Sequence, residues 1–123
     1  MSLFLVMAGG AIGAGARHLV GRAFLALAGP AYPYATLAVN LSGGLLMGVL
    51  AGMLARTGAG ESWRLFAGVG VLGGFTTFSA FSLDAVTLFE RASVTAAGGY
   101  VLLSVAGSIA ALLAGLQLSR AWA

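Results

Sequence analysis

Residues 73–81 read "GGFTTFSAF" in the middle of a long apolar run. A helix crossing a membrane would be expected there, and these residues are poor material for one. Gly73 and Gly74 weaken a helix through backbone entropy. Thr76, Thr77 and Ser79 carry hydroxyls that compete for backbone groups. The stretch therefore predicts a break near residues 74–79. At membrane depth the carbonyls and amides freed by a break must be satisfied by protein or face a lined cavity. Broken helices of this kind build ion sites in lipid, and freed carbonyls suit a dehydrated cation.

Working outward, the whole chain has the composition of a membrane protein. Of its 123 residues, 60% are hydrophobic and only 7% are charged, against about 25% charged in a soluble domain. The mean hydropathy is +1.03. There is no cysteine, which excludes disulfides and thiolate metal sites. One histidine and three acids argue against a metalloenzyme or an acid–base catalyst, so no enzyme is expected. Six arginines against three acids are too sparse for a nucleic-acid surface. The first apolar segment lacks a basic start and outruns a signal-peptide core, so it is expected to belong to the mature fold.

Punctuation divides the chain into four spans, about 3–28, 34–54, 63–89 and 94–118. The dividers are "GPAYP" at 29–33, "RTGAGES" at 56–62 and "ERAS" at 90–93. Each span reaches the roughly 20 residues needed to cross a bilayer. The expectation is an all-α membrane protein, one four-helix domain over residues 1–123. With both ends on one side, Arg56, Arg64 and Arg120 oppose Arg17, Arg22 and Arg91. Orientation follows an excess of basic residues, and three against three gives none. The balance fits either weak topology information or insertion in both orientations.

Glycines recur at spacings of four: Gly44, Gly48 and Gly52 in the second span, Gly9 and Gly13 in the first, and Gly107, Ala111 and Gly115 in the fourth. Such faces let backbones approach closely in lipid, within one chain or between copies. Four helices leave no room for a solvated path, so a pore is expected to need a second copy.

Polar residues mark the candidate path. Asn40 lies about 9 Å into the second span, with Thr36 one turn earlier. Tyr100, Ser104 and Ser108, spaced by four, place three hydroxyls on one stripe. The ordinary fate of such a serine is a bond back to its own helix; the alternative is a polar track. Phe75, Phe78 and Phe81 are spaced by three. They read either as packing or, beside a break, as ring edges carrying the positive part of the aromatic quadrupole. Such edges touch an anion weakly, as conduction requires. Arg17 and His18 are read toward the end of the first span. His18 is expected to anchor at the interface, and Arg17 to snorkel there or to bias the pore mouth toward anions. Asp84 is deeper than Glu90 and must be paired or protonated there.

Three stretches in order, "GGAIGAGARH" at 9–18, "ATLAVNLSGGLLMG" at 35–48 and "GGFTTFSAFSLD" at 73–84, resemble the Fluc (CrcB) fluoride channels, or fluoride exporters. The resemblance covers nearly the whole chain. It implies a dual-topology antiparallel homodimer in the cytoplasmic (inner) membrane, with two fluoride pores and passive export that confers fluoride resistance. It assigns Asn40, Phe78 and Phe81 to the pore, Thr36, Tyr100, Ser104 and Ser108 to its polar track, and Arg17 to its charged mouth. It also implies a structural sodium ion at the dimer interface, held by backbone carbonyls of Gly73 and Thr76. Two positions depart from the pattern. Asp84 stands where glutamate is common, and His18 where an aromatic usually follows the arginine. Against this stand a small multidrug-type exporter, which needs an early membrane carboxylate although no acid precedes Glu61, and a structural subunit of a larger membrane complex.

Overall fold

A computed structural model of the chain describes residues 2–58 and 60–121. Helix α1 spans Ser2–Ala28 and α2 spans Tyr34–Thr57. The third segment begins with an α-turn at Glu61–Trp63, continues as a π-helix over Arg64–Leu72 and closes with an α-turn at Gly73–Phe75. These three pieces run on as one rod, α3 (residues 61–75). Thr76 and Thr77 are extended, with ψ of 158° and 124°. Helix α4 then spans Phe78–Arg91, and α5 spans Val94–Ala121. Taken end to end, Ser2–Ala28, Tyr34–Thr57, Glu61–Arg91 and Val94–Ala121 are each long and apolar enough to cross a membrane. The helices outrun the apolar runs of the sequence by up to three residues, because helical hydrogen bonds do not stop where hydropathy does.

Local chemistry sets the ends. Gly29 and Gly58 adopt φ of 76° and 65°, the left-handed conformation in which glycine closes a helix without a Cβ clash. The Gly58 amide bonds back to the Leu54 carbonyl at 3.1 Å. Ser93 caps α5 by accepting from the Ala96 amide. At the surface, Arg64 pairs with Glu61; both are exposed, so the pair adds little stability.

The helices pack in two pairs. Helix α1 lies along α3, and α2 lies along α5, while α4 folds back onto α5. The third segment therefore starts in one pair and finishes in the other, and its non-helical residues are the crossover. Glycine makes both pairings possible. A methyl group at Gly48 would meet the Leu112 carbonyl and the Leu116 amide of α5, and one at Gly115 would meet the Leu45 carbonyl of α2. Gly9 and Gly13 press in the same way on the Phe66 and Val71 carbonyls of the π-helical stretch. The small-residue faces are thus consumed inside one chain, and they carry no argument for assembly between copies.

Little of the apolar surface is buried. The core consists mainly of Val39, Leu72, Phe81, Leu88, Ala97 and Tyr100. Most large aliphatic side chains face outward, which is sensible only where the surroundings are lipid tails or another membrane helix.

Glycine at the α2–α5 crossing makes a direct prediction. Gly48→Ala forces backbone apart and is expected to destabilise the detergent-solubilised protein by about 1–3 kcal/mol. Gly15→Ala meets nothing within 4 Å and is expected to be neutral or slightly stabilising, since alanine favours helix. Thermal unfolding of the two variants checks both, and equal melting points would refute the close crossing.

Candidate functional site

The site begins with the two extended threonines. Leaving the helix at Phe75 strips backbone groups of their usual partners, and nearby side chains replace them. The Thr76 amide and hydroxyl both donate to the Leu72 carbonyl, each at 3.0 Å. Thr77 caps α4, its hydroxyl accepting from the Ala80 amide at 3.2 Å. The Thr77 backbone is held by Asn40 from α2. The Asn40 amide nitrogen donates to the Thr77 carbonyl at 3.0 Å, and the Thr77 amide donates to Asn40 Oδ1 at 2.8 Å. The side chain imitates the partner strand of a β-ladder and fixes the crossover to α2.

Arg17 holds the end of α3 from the other side. Its Nε donates to the Gly74 carbonyl at 3.1 Å. Helix α1 continues to Ala28, so Arg17 stands eleven residues before its end, about 16 Å along the axis, with its guanidinium turned onto α3 rather than free at the helix end. A second groove of about 490 Å³, lined by Arg17, His18, Arg22 and Thr36 among others, runs beside α1 and α2.

The main groove, about 370 Å³, lies between α2, the crossover and α5. Asn40, Thr76, Phe78, Phe81, Ser104 and Ser108 line it together. These are residues that the sequence singled out from three different segments. Thr36 lies on the second groove instead, and Tyr100 is fully buried beside the first. The Phe81 ring sits between its neighbours, with centroids 5.5 Å from Phe78 and 5.4 Å from Tyr100. Phe81 is buried, whereas Phe78 is 77% exposed and projects away from its own chain. Phe75 packs beside Gly43 and does not line the groove.

The serine hydroxyls of the helices behave differently from one another. Ser42 of α2, Ser82 of α4 and Ser119 of α5 bond to carbonyls of their own helices, the usual behaviour of serine in a helix. Ser104 does not. Its Oγ is buried next to the Tyr100 hydroxyl one turn away and bonds to no carbonyl of its own helix, although the residue borders the groove. Tyr100 donates to Asp84 Oδ2 at 3.3 Å, so the Asp84 carboxylate is paired rather than isolated.

Sequence reasoning missed two contacts: the double bond from Asn40 to Thr77 and the bond from Arg17 to Gly74. Both were signalled by one fact, a strongly polar side chain at membrane depth, which must find a partner. The sequence could not say which.

Residues 4–116 match the family described as CrcB-like protein, Camphor Resistance (CrcB). The chain is 59% identical over 120 residues to a protein of Sphingopyxis alaskensis named fluoride-specific ion channel FluC, covering 97% of this chain and 95% of that one. Proteins of the same name from Mesorhizobium japonicum and Phenylobacterium zucineum are 52% and 57% identical, each over 97% of this chain and over 96% and 95% of their own lengths.

The grip of Asn40 yields a measurable expectation. Asn40→Ala leaves the Thr77 amide and carbonyl without partners, at about 1–3 kcal/mol for each group that stays dry. The melting temperature of the purified protein is expected to fall. A melting temperature equal to that of the unmodified protein would show that the crossover does not depend on Asn40.

Proposed function

This chain belongs to the CrcB-like family, and from that premise we propose that it is a fluoride-selective channel that lets fluoride leave the cell passively across the cytoplasmic membrane. No reaction is catalysed in this reading, and the physiological result is fluoride resistance. The observation that carries it is the convergence of Asn40, Phe78, Phe81, Ser104 and Ser108, from three segments, on one groove. A small, strongly hydrogen-bond-accepting anion suits a path with few polar donors among ring edges. The edges of Phe78 and Phe81 add weak contacts that do not trap it.

Two observations support a homodimer. The main groove is flanked by exposed Phe78, Val105 and Ile109 while it also contains Asn40 and Ser104. Lipid tails satisfy the first set and not the second, so a protein surface is the better cover. The balance of three arginines to three supports insertion in both orientations and hence antiparallel pairing.

The backbone supports a bound sodium ion. In an unbroken helix the Gly73 carbonyl would accept from the Thr77 amide and the Thr76 carbonyl from the Ala80 amide. Those amides donate instead to Asn40 Oδ1 and Thr77 Oγ1. Both carbonyls are thereby deprived of their regular donors, and Gly73 lies on the exposed surface. Two such pairs facing each other in a dimer would offer four neutral oxygens, a set suited to a hard monovalent cation. Bound there, the ion supplies positive charge that ties two breaks together.

Liposomes loaded with potassium fluoride and containing only this protein are expected to release fluoride when valinomycin is added, and chloride-loaded ones to keep their chloride. Equal chloride release, or none of either, would falsify the channel reading. Phe78→Leu and Phe81→Leu keep bulk but lose the ring edge, and flux should drop about tenfold, the factor for the upper end of an aromatic-edge interaction. Phe75→Leu should conduct normally.

Sodium is tested separately, without flux. Exchanging it for N-methylglucamine is expected to lower the melting temperature of the purified dimer. An unchanged melting curve would remove the cation from this proposal.

A further inference from the structure

The geometry points to Arg17 as a positioning residue that fixes the broken end of α3, rather than as a charge at the mouth of a path. A guanidinium within an apolar spanning segment is expensive unless it has a partner or a polar surround. Arg17 has a partner, the Gly74 carbonyl at 3.1 Å, and lines a groove with His18 and Arg22.

The partner matters because of where it lies. Gly74 is in the last turn of α3, where the aligned peptide dipoles leave partial negative charge on unpaired carbonyls. A cation is the favourable group at such an end, and here it arrives from another helix. Gly74 is also pressed against α1, since a methyl group there would meet the Gly10 carbonyl and Cα. The same turn is thus clamped to α1 by steric contact at Gly10 and by a charged hydrogen bond from Arg17. Gly73 is the residue before Gly74 and Thr76 lies two after it, so a clamp on Gly74 restrains the backbone that carries both carbonyls. With Asn40 holding Thr77 from α2, each side of the break has its own brace. The value of this for ion binding rests on the cation proposed above; the bracing itself does not.

Hydrogen exchange at the Thr76 and Thr77 amides in the purified dimer tests the inference. These amides bond to the Leu72 carbonyl and to Asn40, not to Arg17. They speed up only if the turn loosens. Arg17→Gln is expected to raise their exchange about tenfold or more, as loss of a hydrogen bond to a charged group implies. Arg17→Lys, which keeps the charge and a donor, is expected to restore most of the protection. If Arg17→Gln yields no folded dimer, Arg17→Met, which keeps the length and loses charge and donor, replaces it, and is expected to accelerate both amides by a similar factor. His18→Gln, in the same groove, should leave both amides unchanged.

Unchanged exchange in the folded Arg17 variants overturns the inference. If flux nevertheless falls, Arg17 acts on the anion through its field alone. Sodium-independent melting of the unmodified dimer, with accelerated exchange in Arg17→Gln, would retire the cation and keep the brace.

Discussion

One carboxamide at membrane depth holds the architecture together. Asn40 gives both hydrogen-bonding edges of its side chain to the backbone of Thr77, in a solvent that offers no substitute. Without it, two extended residues inside a membrane segment would carry unpaid backbone groups, and a continuous helix would be the better solution. With it, the third segment can leave the α1–α3 pair and join α5. The main groove exists because of that crossover. Phe78 and Phe81 open α4, and their position relative to Ser104 follows from where the new helix begins.

The rest of the packing gives the crossover firm supports. Each helix pair is drawn tight by backbone contact at glycine, which leaves little freedom to slide. The hydrophobic effect contributes little between helices in lipid, so close approach and hydrogen bonds must do what burial does in water. This explains why a chain so rich in leucine has so small a core. Its large side chains face outward, and its specificity lies in small and polar ones.

Much of this was legible in the residues themselves. The four spans follow from length and hydropathy, and the weak point of the third from the run of glycines and hydroxyls at 73–79. Asn40 and Arg17 stood out because polar groups in lipid demand partners. The partners were not legible, since the choice of Thr77 and Gly74 depends on how two helix pairs are brought together. The glycine faces were visible, but periodicity cannot tell a neighbour in the same chain from one in another. Ser104 looked like its fellow serines; only packing shows that its hydroxyl lacks the carbonyl the others use.

The two braces also impose an order of events during synthesis. Arg17 is joined to a residue 57 positions later and Asn40 to one 37 positions later. At about 5–20 residues per second, roughly 3–11 s pass between making Arg17 and making its partner. For that interval α1 carries an uncompensated guanidinium that costs about 2.5–3.5 kcal/mol at the centre of an inserted helix. The apolar residues of the first helix must offset that cost alone until the last turn of the third segment arrives to receive the guanidinium.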